Sequence, residues 1–313
     1  MQYRKLGLTG LQVSMVSLGT GGHSRIGMGT GQTPDTSISI VQKAIDEGIN
    51  LIDSSEVYGT EDLVGQALSG VGRPKYVLST KVGIRVGGGL KTAPQLKASL
   101  EASLKRLRTD YVDIYHMHGI PEADYGYVRD ELVPVMLELK QQGKIRHIGI
   151  TEAFVTDPGH KMLQRAVTDD CWEVMMVGFN LLNQSARTRV LQPAAEKGIG
   201  ILDMFAVRRA LVSQALLSVF MKGMLEQGLI DPDRYDGQNP LGFLLERGGY
   251  DSLTELAYRF CTSEPGIHSI LSGTGNPQHL EQNLRDIGKG PMPAEDRETL
   301  MSLFERVDSV SGN

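Results

Sequence analysis

Eight short apolar runs recur along the chain: MVSLG (15–19), NLID (50–53), YVLSTKV (76–82), YVDIYHM (111–117), RHIGIT (146–151), EVMMVGF (173–179), IGILDMF (199–205) and IHSILS (267–272). Their starts lie about 26 to 35 residues apart, except for a last step of about 68. Segments of helical periodicity fall between them, among them 36–49, 61–68, 94–107, 132–143, 186–198, 252–260 and 279–287. A helix between two strands carries the chain back across the sheet, so successive strands must be parallel. Eight such units predict a (β/α)8 TIM barrel, read here as a single domain over residues 1–313.

The competing architecture is a doubly wound open sheet, which places a G-x-G-x-x-G turn after an early strand. The nearest candidates begin at Gly19, Gly27 and Gly273, and they hold Ser24, Gln32 and Gln278 where the third glycine belongs. The barrel is therefore preferred. LGLTGL between QYRK and QVSM predicts a β-hairpin ahead of it. The long last step predicts a loop insertion around 207–250, and SLFERV near the end predicts an extra helix on the outside.

Composition narrows the function classes. With 40% hydrophobic and 22% charged residues the chain has ample material for a core. A formal net charge of -5 supplies no basic face for a nucleic-acid backbone. Two cysteines, Cys171 and Cys261, show no paired spacing, which fits a reducing, cytoplasmic setting and no cysteine-based metal site. No apolar run has signal-peptide or membrane-spanning length, so no membrane association is expected.

Barrel chemistry sits at the C-terminal ends of the strands. The second run ends in Asp53, the third in Lys81, and the fourth near His116 and His118; Tyr58 follows five residues after Asp53, with Glu56 between them. Each has an ordinary explanation alone, since an Asp after a strand commonly caps a helix, with Ser54 and Ser55 able to share that role. Together they suggest more, because a Lys and an Asp on adjacent strand ends form a partly buried ion pair. A phenol is a poor proton donor-acceptor at neutral pH, and a nearby ammonium favours its phenolate. In that arrangement Lys81 assists Tyr58, Asp53 holds Lys81 charged, and His118 donates a hydrogen bond to a carbonyl oxygen. The set contains no nucleophile and suits hydride transfer from a nicotinamide cofactor.

The segments YRKLGLTGLQVSMVSLGT, NLIDSSEVYG, VLSTKVG, LKRLRTDYVDIYHMH, GKIRHIGIT, FNLLNQ and SILSGTGNPQHLEQN together resemble the aldo-keto reductases, in order and spacing, over nearly the whole chain. The resemblance implies a barrel capped by an N-terminal hairpin and a catalytic Asp53, Tyr58, Lys81 and His118, with the D-x-x-x-x-H ending that starts at Asp113 selecting His118 over His116. It implies a cofactor site at Thr151, Glu152, Asn180 and Met204, and on the loop carrying Gly273, Thr274, Gly275, Asn276, His279, Gln282 and Asn283. Thr151 and Glu152 stand where many members have a Ser-Asn pair for the carboxamide, with Glu152 still able to accept from it. Met176 stands where they have Gln, and Met204 replaces a stacking aromatic with Phe205 adjacent. The strand-eight loop lacks the Lys or Arg that pairs the 2′-phosphate, so NAD is favoured slightly over NADP, with Arg208, Arg209 and Arg285 as the cations that would reverse this.

The expected activity is interconversion of a small carbonyl compound and an alcohol, a sugar among the candidates. The alternatives are a cofactor-binding regulatory subunit of the same fold and a metal-dependent hydrolase built around His116 and His118. The substrate pocket is expected from loops 21–32, 119–127 and 207–250, the second being polar and tyrosine-bearing. The sequence specifies no oligomeric state.

Overall fold

Each apolar run becomes a strand because its β-branched and aliphatic residues are covered on both faces, by the barrel interior and by the helices. The computed structural model describes residues 1–234 and 237–313; Tyr235 and Asp236, inside the expected insertion, lie outside the described residues. A hairpin of β1 (Tyr3–Lys5) and β2 (Gln12–Ser14) comes first, followed by β3 (Val16–Gly19), β4 (Leu51–Asp53) and β5 (Val77–Gly83). A second small hairpin, β6 (Arg85–Val86) with β7 (Gly89–Leu90), precedes β8 (Val112–Ile120) and β9 (Ile145–Glu152). The series closes with β10 (Val174–Gly178), β11 (Gly200–Met204) and β12 (Ser269–Ser272). β3, β4, β5, β8, β9, β10, β11 and β12 form a closed barrel in chain order, every neighbouring pair parallel.

Alternation along the strands separates two apolar regions. Leu51, Val77, Ile114, Val174, Met176 and Leu202 fill the barrel interior, joined by Leu6 and Val13 of the N-terminal segment, which close its lower end. Gly7 allows that closure: it has φ +50, and a Cβ there would lie 2.3 Å from the Gly198 carbonyl oxygen. A much larger cluster fills the space between strands and helices.

The helix starts follow local chemistry. Thr33 caps Pro34–Asp46, Thr92 and Gln95 form a capping box on Ala93–Leu107, and Asn276 caps Pro277–Gly288, each with proline in the first turn. Pro134 and Pro193, which lack an N–H for the preceding turn, are each preceded by a wide π turn, at Val128–Leu132 and Arg187–Leu191.

Three expectations are corrected. The insertion is not simply a loop: it holds the helix Gln214–Glu226, capped by Ser213, and the helix Gly242–Gly248. A short helix, Lys161–Ala166, follows β9 where periodicity marked none. The last helix is Ala294–Leu303, and most of SLFERV lies beyond it, because acidic Glu295 and Asp296 in the first turn favour an earlier start. Among the described residues no helix is long and apolar enough to cross a membrane.

Gly65 lets two outer helices approach closely: a Cβ would lie 2.4 Å from the Arg106 carbonyl oxygen and 2.7 Å from Leu107 C. Backbone cannot yield as a side-chain tip can. Gly65→Ala is expected to destabilise the fold by about 1–3 kcal/mol, read as a lower urea midpoint at unchanged m-value.

Candidate active site

Asp53, Lys81 and His118 come from three consecutive barrel strands, β4, β5 and β8. The register aligns Asp53 with Ser79, Lys81 with His116 and Gly83 with His118, so these side chains rise toward one sector of the C-terminal rim. Asp53 and Lys81 are each 1% exposed. The Lys81 ammonium contacts Asp53 Oδ2 directly and donates to the Ser54 carbonyl at 2.8 Å, while the Ser79 hydroxyl donates to Asp53 Oδ1 at 2.8 Å. Burial works against the Lys81 ammonium, but the Asp53 carboxylate and the Tyr58 phenol together outweigh it and hold the group above its ordinary pKa. Burial pushes the Asp53 carboxyl up, opposed by Lys81 and Ser79.

Tyr58 sits on the turn after β4. Glu56 N–H donates to the Lys81 carbonyl and Tyr58 N–H to the Ser55 carbonyl, both at 3.1 Å. The phenol oxygen lies 3.4 Å from Lys81 Nζ and 3.3 Å from His118 Nε2, and the two rings meet edge to face at 5.5 Å. Gly21 makes room for the ring, since a Cβ there would lie 2.4 Å from Tyr58 Cε2. The structure thus brings Asp53, Tyr58, Lys81 and His118 together.

Burial, and next the Lys81 charge, draw the His118 pKa down to about 3. The ring is therefore neutral through the physiological range. Its Nδ1 lies 3.1 Å from Ser55 Oγ. His116 stays out of the network: it is fully buried, with Gly149 opposite leaving it space. Among the described residues no group of three or more His, Cys, Asp or Glu stands close enough to hold a metal ion.

Sequence reasoning missed the residues that hold the four in place. Ser55 and Ser79 are the hydrogen-bond partners of His118 and Asp53. Glu56, with no role from sequence, accepts from Gly83 N–H at 2.9 Å and pairs with Lys91 Nζ at 2.6 Å, pinning the Tyr58 turn to the end of β5. Its proximity to Tyr58 was the only local signal.

On the cofactor side several expected residues are engaged within the chain. Thr151 Oγ1 accepts from Gly119 N–H at 2.6 Å. Glu152 is not the free acceptor expected: its carboxylate takes the Gly178 N–H at 2.7 Å and His160 Nδ1 at 2.9 Å, and burial raises its pKa against the pull of His160. Asn180 is fully buried, accepting from Leu182 and Asn183 N–H and donating at 3.4 Å to the Phe205 and Ser311 carbonyls. Met176 belongs to the barrel interior, and the half-buried Met204 packs against it.

In the strand-eight loop Thr274 Oγ1 accepts from Asn276 N–H, Asn276 caps the next helix, Asn283 donates to Ser272 Oγ at 2.8 Å, and Gln282 bonds Asp286. His279 is exposed. Gly275 packs on Gly27 of the loop after β3, with 2.6 Å between a built Cβ and Gly27 Cα. The N–H groups of Thr274 and Gly275 find no acceptor among the described residues. Unbonded N–H groups of that kind fit a phosphate. In the second pocket loop Tyr125 OH donates to Asp169 and accepts from Trp172 Nε1, and Tyr127 OH donates to the Lys91 carbonyl, so both hydroxyl protons are engaged within the chain.

A family model described as the aldo/keto reductase family matches residues 17–305. L-galactose dehydrogenase of Arabidopsis thaliana is 28% identical over 99% of this chain and 95% of its own length. An aldo-keto reductase of Bacillus subtilis (strain 168) is also 28% identical, over 99% and 95%. Among solved structures, the holo form of an aldo-keto reductase from Bacillus halodurans superposes with a TM-score of 0.75 at 24% identity, covering 98% of this chain and 97% of that one, a likeness of fold.

Two results are expected of this site. Lys81→Met strands the buried Asp53 charge and costs about 3–5 kcal/mol in denaturant unfolding, whereas Asp53→Leu with Lys81→Met recovers much of it. The imidazole nitrogen shifts of His118 stay those of a neutral ring from pH 8 to pH 5, because a pKa near 3 leaves the ring unprotonated throughout that window.

Proposed function

The chain belongs to the aldo/keto reductase family and is an NAD(P)-dependent oxidoreductase, and from that premise we propose that it interconverts a carbonyl compound and an alcohol with Tyr58 moving the proton. The observation that carries this reading is the Tyr58 hydroxyl between Lys81 Nζ and His118 Nε2, above a buried carboxylate. A bound reduced nicotinamide supplies the hydride that the carbonyl carbon receives. His118 and Tyr58 orient the carbonyl oxygen by hydrogen bonds, and Tyr58 gives that oxygen its proton.

As the proton leaves, negative charge grows on the phenol oxygen, and the Lys81 ammonium stabilises it. Asp53 keeps that ammonium charged and aimed. Ser55 Oγ, 3.1 Å from His118 Nδ1 and 3.3 Å from the Lys81 carbonyl oxygen, fixes the plane of the His118 ring. In the oxidation direction Tyr58 takes the proton back from the alcohol.

Two finer points belong to the proposal. NAD is favoured over NADP: the loop 273–276 between β12 and the helix Pro277–Gly288 carries no Lys or Arg to pair with a 2′-phosphate. A hydroxylated substrate such as a sugar is supported by the likeness to L-galactose dehydrogenase.

Tyr58→Phe is expected to lower kcat by about 10²–10⁴-fold while the dinucleotide still binds. Full turnover in that variant would remove Tyr58 from the role. Values of kcat/KM with both cofactors, over aldoses, simple alcohols and aldehydes, test the rest. The expected result favours NAD; a hundredfold advantage for NADPH overturns the preference.

A further inference from the structure

A buried lysine is tolerated only where its ammonium is paired and its donors are filled. Most ion-paired lysines here stay near the surface: Lys43, Lys97, Lys140, Lys144, Lys197 and Lys289 keep 33–40% of their side chains exposed. Lys81 and Lys91 do not, at 1% and 7%, and both are bonded to the short segment that runs from Asp53 to Tyr58. Lys81 has its place beside the phenol. Lys91 bonds instead to Glu56 Oε1 at 2.6 Å and to Ser99 Oγ, on the helix Ala93–Leu107, at 2.8 Å, so it takes no direct part in moving the proton.

The backbone of Lys91 makes it a junction. Its N–H donates to the Ile84 carbonyl at 2.7 Å, closing the base of the β6–β7 hairpin, and its carbonyl accepts from Tyr127 OH at 2.9 Å, on the segment after β8. That hairpin and that segment are joined a second time by Arg85 and Asp124. The capping box of Thr92 and Gln95 follows directly and holds the chain at Lys91 to the helix start. Glu56, two residues before Tyr58, also accepts from Gly83 N–H, and Gly83 is the register partner of His118. One residue therefore meets the hairpin after β5, the segment after β8, the helix Ala93–Leu107 and the Tyr58 turn.

Tyr58 needs such support. Its hydroxyl lies 3.4 Å from Lys81 Nζ and 3.3 Å from His118 Nε2, at the long end of hydrogen bonding, so these contacts fix the phenol less firmly than the backbone that carries it. Proton transfer demands closer control of position than that. We propose that Lys91 is a positioning residue: through Glu56 it sets where Tyr58 stands, and it ties that placement to the hairpin Arg85–Leu90 and the segment after β8. The inference rests on Tyr58 as the group that moves the proton and adds the residue that places it. A pocket loop displaced at either attachment is then felt at the phenol through a single side chain.

Single-turnover reduction of para-nitrobenzaldehyde and glyceraldehyde by NADH tests this on the full chain and on K91M, K91R and K97M. K91M keeps the stem and removes the ammonium. It is expected to slow the turnover about tenfold or more and to raise the solvent deuterium isotope effect on that rate, while Kd for NADH stays within about twofold. K91R restores part of the rate, and K97M, which breaks the exposed pair with Glu138, leaves it within about twofold. A lower urea midpoint in K91M with rate and isotope effect unchanged overturns the proposal and leaves Lys91 a purely structural residue, as does a rate lost only in proportion to a raised Kd for NADH. Should K91M not fold, E56Q carries the same test, since it keeps an acceptor for Gly83 N–H and weakens the pair with Lys91: the turnover slows about threefold or more, and an unchanged rate overturns the proposal. If Tyr58→Phe turns over as fast as the unaltered chain, or the unaltered chain reduces neither aldehyde with either dinucleotide, the reading of the site itself fails and this proposal with it, an outcome seen without any variant of Lys91.

Discussion

Lys81 and Asp53 are each buried from solvent, and neither charge is tolerated there without the other. Removing such a pair from solvent costs several kcal/mol per ion, recovered only where the geometry is close and the remaining hydrogen-bonding sites are filled. Here they are filled by Ser79 on the carboxylate and by the Ser54 carbonyl on the ammonium. Meeting those demands fixes the alignment of β4 with β5 and the start of the turn that carries Tyr58. The phenol then reaches Lys81 and His118, while Glu56 and Lys91 clamp the turn that carries it from the other side.

The opposite side of the rim is built on another principle. Between the ends of β9, β10 and β11 stands a column of stacked rings, Phe154, Phe205 and His160, closed by Glu152 below and Arg208 above. Groups that would otherwise face a ligand are engaged in the scaffold there, Glu152 with His160 and Asn180 with the chain beyond Phe205. One side of the mouth thus holds a charged pair and proton-bearing groups. The other is rigid, aromatic and ends in a cation.

Most of the architecture was legible from the sequence. All eight apolar runs are barrel strands, since a run covered on both faces needs no partner information to be recognised. Helix starts were read one or two residues late, at 36, 94 and 279 against Pro34, Ala93 and Pro277, because the capped first turn precedes the periodic apolar stripe. The insertion misled because a segment spaced irregularly between two strands gives no period against which to read Gln214–Glu226. The segment after β9 misled for a related reason, as Lys161–Ala166 is too short to show periodicity.

For the site, the sequence by itself determined which ionisable side chains reach the rim: Asp53, Lys81 and His118 end consecutive parallel strands, and alternation along a strand decides the face. It also placed Tyr58 one turn above Asp53. Only the tertiary structure decided what each polar group bonds to. Ser55 meeting His118, Glu152 turning to His160, the tyrosines of 119–127 being engaged and Arg208 lacking an acceptor all depend on register and loop packing between segments far apart in the chain. A hydrogen bond is made or lost over less than an ångström and a few tens of degrees, and no local pattern of residue types carries that information.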